Sequence, residues 1–198
     1  MTTDVIDQYS VLHILKVKGF ASAESVGTGL GVDAEVVQPV LHDAVESELA
    51  KHREGRLSGY TLTAAGRERV AQLRQEVLGS AARAELSLAY DSFLAPNRAF
   101  KQLTTDWQFR EEGSDTAPLL DRLGDIDAQV QSVVEAATAA DPRFSQYGIR
   151  FTAALERLRA GDDSAFARPM TDSYHDVWME LHEDLLCSLD RERDEADE

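Results

Sequence analysis

The sequence has very little cysteine, few basic residues and no long apolar run. Its one cysteine, Cys187, cannot form an internal disulfide and has no second thiol for a zinc site, which excludes disulfide scaffolds and thiolate metal centres. No segment approaches the roughly 18 apolar residues of a membrane span, and the N-terminal residues lack the basic and apolar regions of a signal peptide. We therefore predict a folded cytoplasmic protein with no membrane partner.

Positive charge is scarce and unevenly distributed. The chain has 20 Lys and Arg against 36 Asp and Glu, a net charge of −16. Residues 1–75 contain 8 basic and 10 acidic residues, a net of −2, whereas residues 76–198 contain 12 and 26, a net of −14. A strongly negative surface repels phosphate groups, so any contact with nucleic acid is expected from the first part. Most of the basic residues are Arg, which is typical of a GC-rich bacterium.

The first part of the chain predicts three helices followed by a β-hairpin. Residues 3–18 have the apolar spacing of a deeply packed helix, which Gly19 ends. Ser22 is the expected N-cap of a short second helix, and Asp33 is the expected N-cap of a third helix that ends near Ala50. The strand-like runs LAKHRE and GYTLT then flank a loop. This order predicts a helix-turn-helix with a β-hairpin wing.

The stretch LAKHREGRLSGYTLTAAGRERV resembles the wing and following helix of MarR-type winged-helix regulators of bacteria. In that family a Leu ends the recognition helix, and an L-T-x-x-G-R sequence leads into the next helix. The matching residues here are Leu49, Gly55, Arg56, Tyr60, Leu62, Thr63, Gly66 and Arg67. The resemblance covers about residues 5–75 and implies a winged helix. Such modules bind DNA, but they also serve in protein interaction and dimerisation, so both functions stay open.

The second part predicts an all-α domain, because it shows helical spacing and no strand-like alternation. We expect a long helical segment at 63–96 with a break allowed near Gly79, another at 97–110, and further helices at 126–140, 151–159 and 171–189. The predicted fold is therefore mainly α. Its parts are a winged helix-turn-helix domain at 1–75, an α-helical domain at 76–189 whose first helix is shared as the connector, and an acidic disordered tail at 190–198.

Two stretches of the second part are similar to a helical module of high-GC bacteria. They are FKQLTTDWQFR at 100–110 and RPMTDSYHDVWMELHEDLL at 168–186. The module is associated with stand-alone proteins and with extensions of phosphoenolpyruvate-utilising enzymes such as pyruvate phosphate dikinases. The sequence contains nothing that resembles the phosphohistidine loop of those enzymes or a glycine-rich nucleotide-binding loop. This resemblance therefore implies an accessory or regulatory protein.

The predicted recognition helix is acidic. Residues 33–48 contain five carboxylates and no Lys or Arg, and their polar candidates for contacting bases are Gln38, His42 and Ser47. Helices that read DNA usually present Arg, Lys, Asn or Gln. Pro39 adds a second difficulty, because it either kinks a helix that starts at Asp33 or lies near the first turn of a shorter helix.

The predicted wing, in contrast, is basic. Its cations can contact phosphates or a minor groove, and Lys16 and Lys18 stand at the end of the first helix. The alternative is a solvated hairpin in a winged helix that only binds proteins. The DNA-binding candidates are therefore Gln38, His42, Lys51, Arg53 and Arg56.

The aromatic residues of the second part have the spacing of core residues. Phe100, Leu103 and Trp107 recur at helical intervals, as do Tyr174, Val177 and Leu181. If a small-molecule effector binds, we expect its pocket between these two helices. The candidate effector-binding residues are Trp107, Arg110, Tyr174 and His175.

No metal, cofactor or catalytic site is predicted. His175 and His182 lie near acidic residues, but their spacing puts them about 10 Å apart along a helix, so one metal would need ligands from another helix. We expect both rings to hydrogen-bond to buried carboxylates beside Trp178. Since no pair of nucleophile and base stands out, we expect no enzyme activity.

The sequence thus predicts a bacterial transcriptional regulator that contacts DNA mainly through the wing. Its helical domain is expected to dimerise or to sense an effector. A homodimer is expected because such regulators bind paired half-sites, and because residues 63–93 offer more apolar surface than a small winged helix can cover. The alternative is a protein partner, with the chain acting as an accessory of a dikinase-like enzyme and binding no DNA.

Overall fold

The first helix is apolar on nearly every side, and the first part of the chain is built around it. In a computed structural model that describes residues 6–111 and 114–192, the chain divides into two units, Met1–Gly79 and Ser80–Glu198. Helix α1 spans Gln8–Lys18 and buries all but two of its last eight side chains. It begins after Asp7, whose carboxylate accepts a hydrogen bond from the Ser10 N–H at 2.8 Å, so the predicted start at residue 3 is wrong. Residues 1–5 lie outside the described part.

Two helices follow, and both begin after the predicted N-caps, although the second ends at Glu46 and not near Ala50. Helix α2 spans Ala23–Leu30 and helix α3 spans Ala34–Glu46. Ser22 caps α2 as predicted, because its hydroxyl accepts a hydrogen bond from the Ser25 N–H at 3.2 Å. Asp33 has the extended backbone of an N-cap, but its side chain makes no capping hydrogen bond. Pro39 lies inside α3, so the shorter helix that would start near it is ruled out.

A β-hairpin and a fourth helix complete the first unit. Strand β1 (Ala50–Arg53) pairs antiparallel with β2 (Gly59–Leu62). On the other side of β2, Ala21 forms an isolated antiparallel β-bridge with Tyr60. Helix α4 (Ala64–Val77) starts at Thr63, whose hydroxyl accepts a hydrogen bond from the Gly66 N–H at 3.0 Å. The order of these elements is that of a winged helix, and the predicted fold class is confirmed.

The second unit is all-α, also as predicted. Its long helices are α5 (Ser80–Gln108), α6 (Ala117–Ala140), α7 (Ser145–Arg159) and α9 (Tyr174–Leu189). A 3-10 turn (Pro142–Phe144) precedes α7, and the short α8 (Ser164–Ala167) precedes α9. Helix α5 packs on α6 and α9, and α7 packs on the same two helices, so the four helices close into a bundle. Within the described residues, no helix combines the length and the apolarity that crossing a membrane requires.

The helix boundaries near Pro96 differ from the prediction. The break allowed near Gly79 occurs at Leu78, which has an extended backbone, but the expected break at Pro96 does not occur because α5 continues through it. A proline inside a helix costs about 3 kcal/mol, since it removes one hydrogen bond and crowds the preceding turn. Here Pro96 is buried between Phe93 and Phe100, which are also buried, and this packing offsets the cost.

The residues directly after α9 still contact the second unit. Asp190 ends the helix in a left-handed conformation, and the guanidinium of Arg191 donates to the Ser87 hydroxyl at 3.0 Å. Arg191 also lies over the Tyr90 ring, 5.4 Å from its centre. Residues 193–198 of the predicted disordered tail lie outside the described residues.

Replacing Gly66 with alanine is expected to destabilise the first unit by about 2 kcal/mol or more, because a side chain there meets fixed backbone. A Cβ at this position would overlap the carbonyl oxygen of Leu49, which accepts a hydrogen bond from the Thr63 N–H at 3.0 Å and is therefore held in place. Urea unfolding followed by circular dichroism measures the change. Gly79→Ala is the control, since a Cβ at Gly79 meets nothing within 4 Å. Equal stability of the two variants would contradict this account.

Candidate nucleic-acid interface

The hairpin separates its side chains into an inner and an outer face. Ala50 pairs with Leu62 and both are buried, so alternation places His52 and Tyr60 on the same inner face. Their rings stack with centres 4.5 Å apart. Lys51 therefore points to the outer face, as does Arg53, which lies two residues further along β1. The outer face of the wing thus carries two cations in a row.

A third cation lies in the loop at the end of the hairpin. Arg56 is exposed, as are Lys51 and Arg53, and Glu54 is the one acidic residue beside them. Within the described residues, none of the three cations forms an ion pair or a hydrogen bond with another side chain. We call Lys51, Arg53 and Arg56 the wing cations.

The hairpin that carries them is attached to the first helix. The Thr61 hydroxyl donates to the Gly19 carbonyl at 2.9 Å, which holds β2 against the end of α1.

Helix α3 presents a different surface. Its buried side is Val37, Leu41 and Ala44, and its solvent side carries both predicted base-reading residues, Gln38 and His42. The same side carries three exposed carboxylates. His42 lies 3.8 Å from one of them, on Glu46, so the ring is directed along the helix toward an acidic group. The acidic residues of this exposed side are Glu35, Asp43 and Glu46.

Two of the candidate effector-binding residues, Trp107 and Tyr174, are buried in the core of the second unit, and Arg110 and His175 are partly exposed. Trp107 is buried and stacks on Phe166 with ring centres 4.2 Å apart, and Arg110 lies over the Trp107 ring and pairs with Asp163 at 2.9 Å.

The two candidates on α9 lie near a different part of that core. The Tyr174 hydroxyl donates to Asp127 at 2.9 Å, and burial raises the pKa of this phenol. His175 is half-buried at 6.0 Å from the Phe100 ring, and burial lowers its pKa, although Asp176 opposes that shift. The burial of the aromatic residues agrees with their predicted core role.

A groove of about 750 Å³ lies elsewhere in the second unit, between α6 and α7. Gly148 and Val134 form part of its wall, and Glu135 and Glu156 stand at its sides. None of the four candidate effector-binding residues lines this groove.

The two histidines of α9 do not form a metal site with their acidic neighbours. His182 is buried against Phe93, with ring centres 5.1 Å apart, and Asp172 pairs with Arg150. Asp176 completes the capping box at the start of α9. Among the described residues, only His42, Asp43 and Glu46 bring three potential ligand atoms within 4.8 Å of one another, and all three are exposed on α3.

A buried ionic cluster between α7 and α9 was missed by the sequence analysis. The Arg150 guanidinium is 5% exposed and lies 2.8 Å from Glu180, while the Tyr147 hydroxyl donates to Asp184 at 2.8 Å. Burial and the nearby carboxylates raise the pKa of Tyr147. The one signal in the sequence that could have predicted this cluster was the recurrence of charged residues at helical intervals on two apolar helices. We call this group the ionic cluster: Arg143, Tyr147, Arg150, Asp172, Glu180 and Asp184.

The ionic cluster supports the loop before α9. Met170 and Asp172 both have left-handed backbones, with φ of 61° and 53°, which is uncommon for residues other than glycine. The Arg150 guanidinium donates a hydrogen bond to the Asp172 carboxylate, and Arg157 donates to the Thr171 and Asp172 carbonyls. Since each of these cations faces an acceptor of the protein itself, the cluster has a structural role.

The chain matches no protein-family model, no curated protein and no solved structure. The assignment of a winged helix therefore rests on the order and pairing of the elements in the structure. The resemblances to MarR-type regulators and to dikinase-associated modules stay predictions.

Chelation with EDTA is expected to leave the melting temperature unchanged, because His182 is packed against aromatic rings and the carboxylates of Asp172 and Asp176 are engaged within the protein. Thermal unfolding followed by circular dichroism, with and without EDTA, is the measurement. His42→Ala serves as the control, since it removes the exposed α3 group from consideration. A clear drop that persists in this variant would show that a metal is bound in the second unit.

Proposed function

We propose that this protein is a winged-helix transcriptional regulator whose first unit binds DNA through the wing. The observation that carries the proposal is the set of three exposed wing cations, Lys51, Arg53 and Arg56, on a hairpin whose second strand is hydrogen-bonded to the end of α1. Phosphate groups supply most of the affinity of weakly specific DNA binders, and exposed Lys and Arg side chains are the groups that contact them.

Helix α3 contributes little to this binding. Glu35, Asp43 and Glu46 lie on the side that would face a major groove, where they would approach phosphates and base acceptors. Gln38 and His42 are the remaining polar groups there, and His42 is turned toward Glu46. Base-specific contacts are therefore few, and sequence selectivity is weak.

The second unit serves dimerisation or effector sensing in this proposal. Its acidic charge keeps it away from phosphates, so it acts on protein or on small molecules. A homodimer would bring two wings to one DNA molecule and double the number of phosphate contacts.

A second candidate function is favoured by the acidic side of α3. An exposed helix with three carboxylates and no cation suits a basic protein surface better than it suits DNA. On this alternative the winged helix is an interaction module, and the chain is an accessory to an enzyme of the phosphoenolpyruvate-utilising type.

The double variant Arg53→Ala/Arg56→Ala is expected to abolish binding to duplex DNA, because it removes two of the three wing cations. Fluorescence anisotropy against the promoter region of its own gene and against random duplex, at about 50 and 200 mM salt, measures the effect. Three phosphate contacts predict a salt slope of about −2.7 for one bound wing, which is a loss of roughly 40-fold between the two salt concentrations, and a dimer bound through both wings predicts about twice that slope. Similar affinity for both duplexes is expected.

The matched control is Gln38→Ala/His42→Ala, which is expected to change the affinity by less than about twofold, a difference below 0.5 kcal/mol. Circular dichroism checks that both double variants stay folded. Tight, selective binding that survives loss of the two arginines would show that α3 reads bases and would refute the wing as the DNA contact. Absence of binding at the lower salt concentration would exclude the regulator and leave the interaction module.

A further inference from the structure

Helix α5 has an exposed side that the rest of its own unit does not cover. Its inner side carries Leu86, Tyr90, Phe93 and Phe100, all buried in the bundle. The opposite side carries one large apolar residue, Leu88, which is 61% exposed. Small or charged residues follow it at helical intervals over three turns. We call this side the α5 face: Leu88, Asp91, Ser92, Ala95, Arg98 and Ala99, all of which are exposed.

The two charges of the α5 face lie along one edge of it. Asp91 and Arg98 are seven residues apart, which is two helical turns or about 10 Å, so they are too distant to pair within the helix. Ala95 lies between them, near the midline of the face. No ion pair between described residues involves Asp91 or Arg98.

This arrangement is complementary to itself. When two copies of a helix pack antiparallel about a two-fold axis, residues on the same edge meet if their positions are symmetric about the axis. An axis beside Ala95 places Asp91 of each copy opposite Arg98 of the other. It also places Leu88 of each copy opposite residues 101 and 102 of the other, within one turn of the small Ala99.

We propose that the α5 face is a docking surface for a second copy of this chain, paired antiparallel about a two-fold axis beside Ala95. Two Asp91 to Arg98 ion pairs then flank a centre of small side chains, and Ala95, Ser92 and Ala99 let the two helices approach closely. The occupant is a second copy because both charges find their complement in the same face.

The charge of the second unit favours this face over others. Acidic residues outnumber basic ones by 25 to 12 over residues 80–198, so two copies repel over most of this unit's surface. The α5 face carries one carboxylate and one guanidinium and is neutral. The pairing deepens the dimer half of the proposed function, and its tests use no DNA, so either can fail without the other.

A charge-swap series tests the pairing. Sedimentation velocity of the full chain at physiological salt is expected to show a dimer with a dissociation constant in the micromolar range, as a small interface allows. Asp91→Arg alone and Arg98→Asp alone each oppose like charges and should weaken the dimer at least tenfold. The double variant Asp91→Arg/Arg98→Asp restores both pairs and should return the constant to within about threefold of the wild type, a difference below 1 kcal/mol.

Asp125→Arg on α6 is the matched control. It makes the same change of net charge at another exposed position, so it should not weaken the dimer. A wild type that stays monomeric at high micromolar concentration would overturn the proposal. Single variants that dimerise like the wild type, or a double variant that fails to recover, would overturn it as well.

Cysteine cross-linking tests the direction of the pairing in a Cys187→Ala background. In the antiparallel pair, a cysteine replacing Ala95 lies next to its symmetry mate and should form an intermolecular disulfide under mild oxidation. A cysteine replacing the exposed Ala84 lies about 30 Å from its mate and should not. Equal cross-linking at both positions would indicate parallel helices and would refute the two-fold arrangement.

Discussion

Scarcity of positive charge is the constraint on which the rest of this molecule depends. Twenty basic side chains accompany 36 carboxylates, so the location of each cation determines what each part of the chain can do. In the second unit, many cations neutralise carboxylates of that same unit, as Arg122 does with Asp106 and Arg150 does with Glu180. In the first unit the wing cations have no such partners among the described residues. The more acidic unit therefore uses much of its positive charge for its own structure, while the nearly neutral unit exposes the three wing cations to solvent.

The ionic cluster shows what that internal use achieves. Burying a guanidinium costs several kcal/mol unless nearby carboxylates offset the loss of water, and buried ion pairs add little net stability over apolar packing. Arg150 nevertheless faces Glu180 and Asp172, and Asp172 has a left-handed backbone that few residues other than glycine adopt. The cluster therefore determines the conformation of the loop between α8 and α9, which apolar side chains could not hold in the same way. Specifying one conformation of this loop explains the buried cluster better than a gain in the free energy of unfolding does.

Local signals in the sequence were sufficient for most of the fold. Ser22 was identified as a helix start because its hydroxyl can satisfy a free N–H group of the first turn, and the segment predicted from residue 63 begins with the same kind of cap at Thr63. The hairpin and the aromatic core of the second unit followed from spacing alone. The course of α5 through Pro96 could not be predicted, because the cost of the proline is local whereas the packing that offsets it comes from other helices. The ionic cluster was missed for the same reason, since its partners are 22 to 41 residues apart. For the candidate interface, the sequence identified the wing cations, but only the strand register showed that Lys51 and Arg53 share an outer face.

The functions proposed for the wing and for the α5 face would together overcome weak binding by a single wing. In the proposed function, three phosphate contacts per wing would give weak binding that falls steeply with salt, and an acidic α3 would add few base contacts to compensate. Linking two such wings makes the second contact intramolecular, so the affinities combine without any new contact in either wing. A neutral, self-complementary helix side on an otherwise acidic unit allows this linkage without attracting nucleic acid to the wrong part of the molecule. The uneven distribution of charge along the chain is therefore compatible with DNA binding when phosphate contact and self-association are assigned to different units.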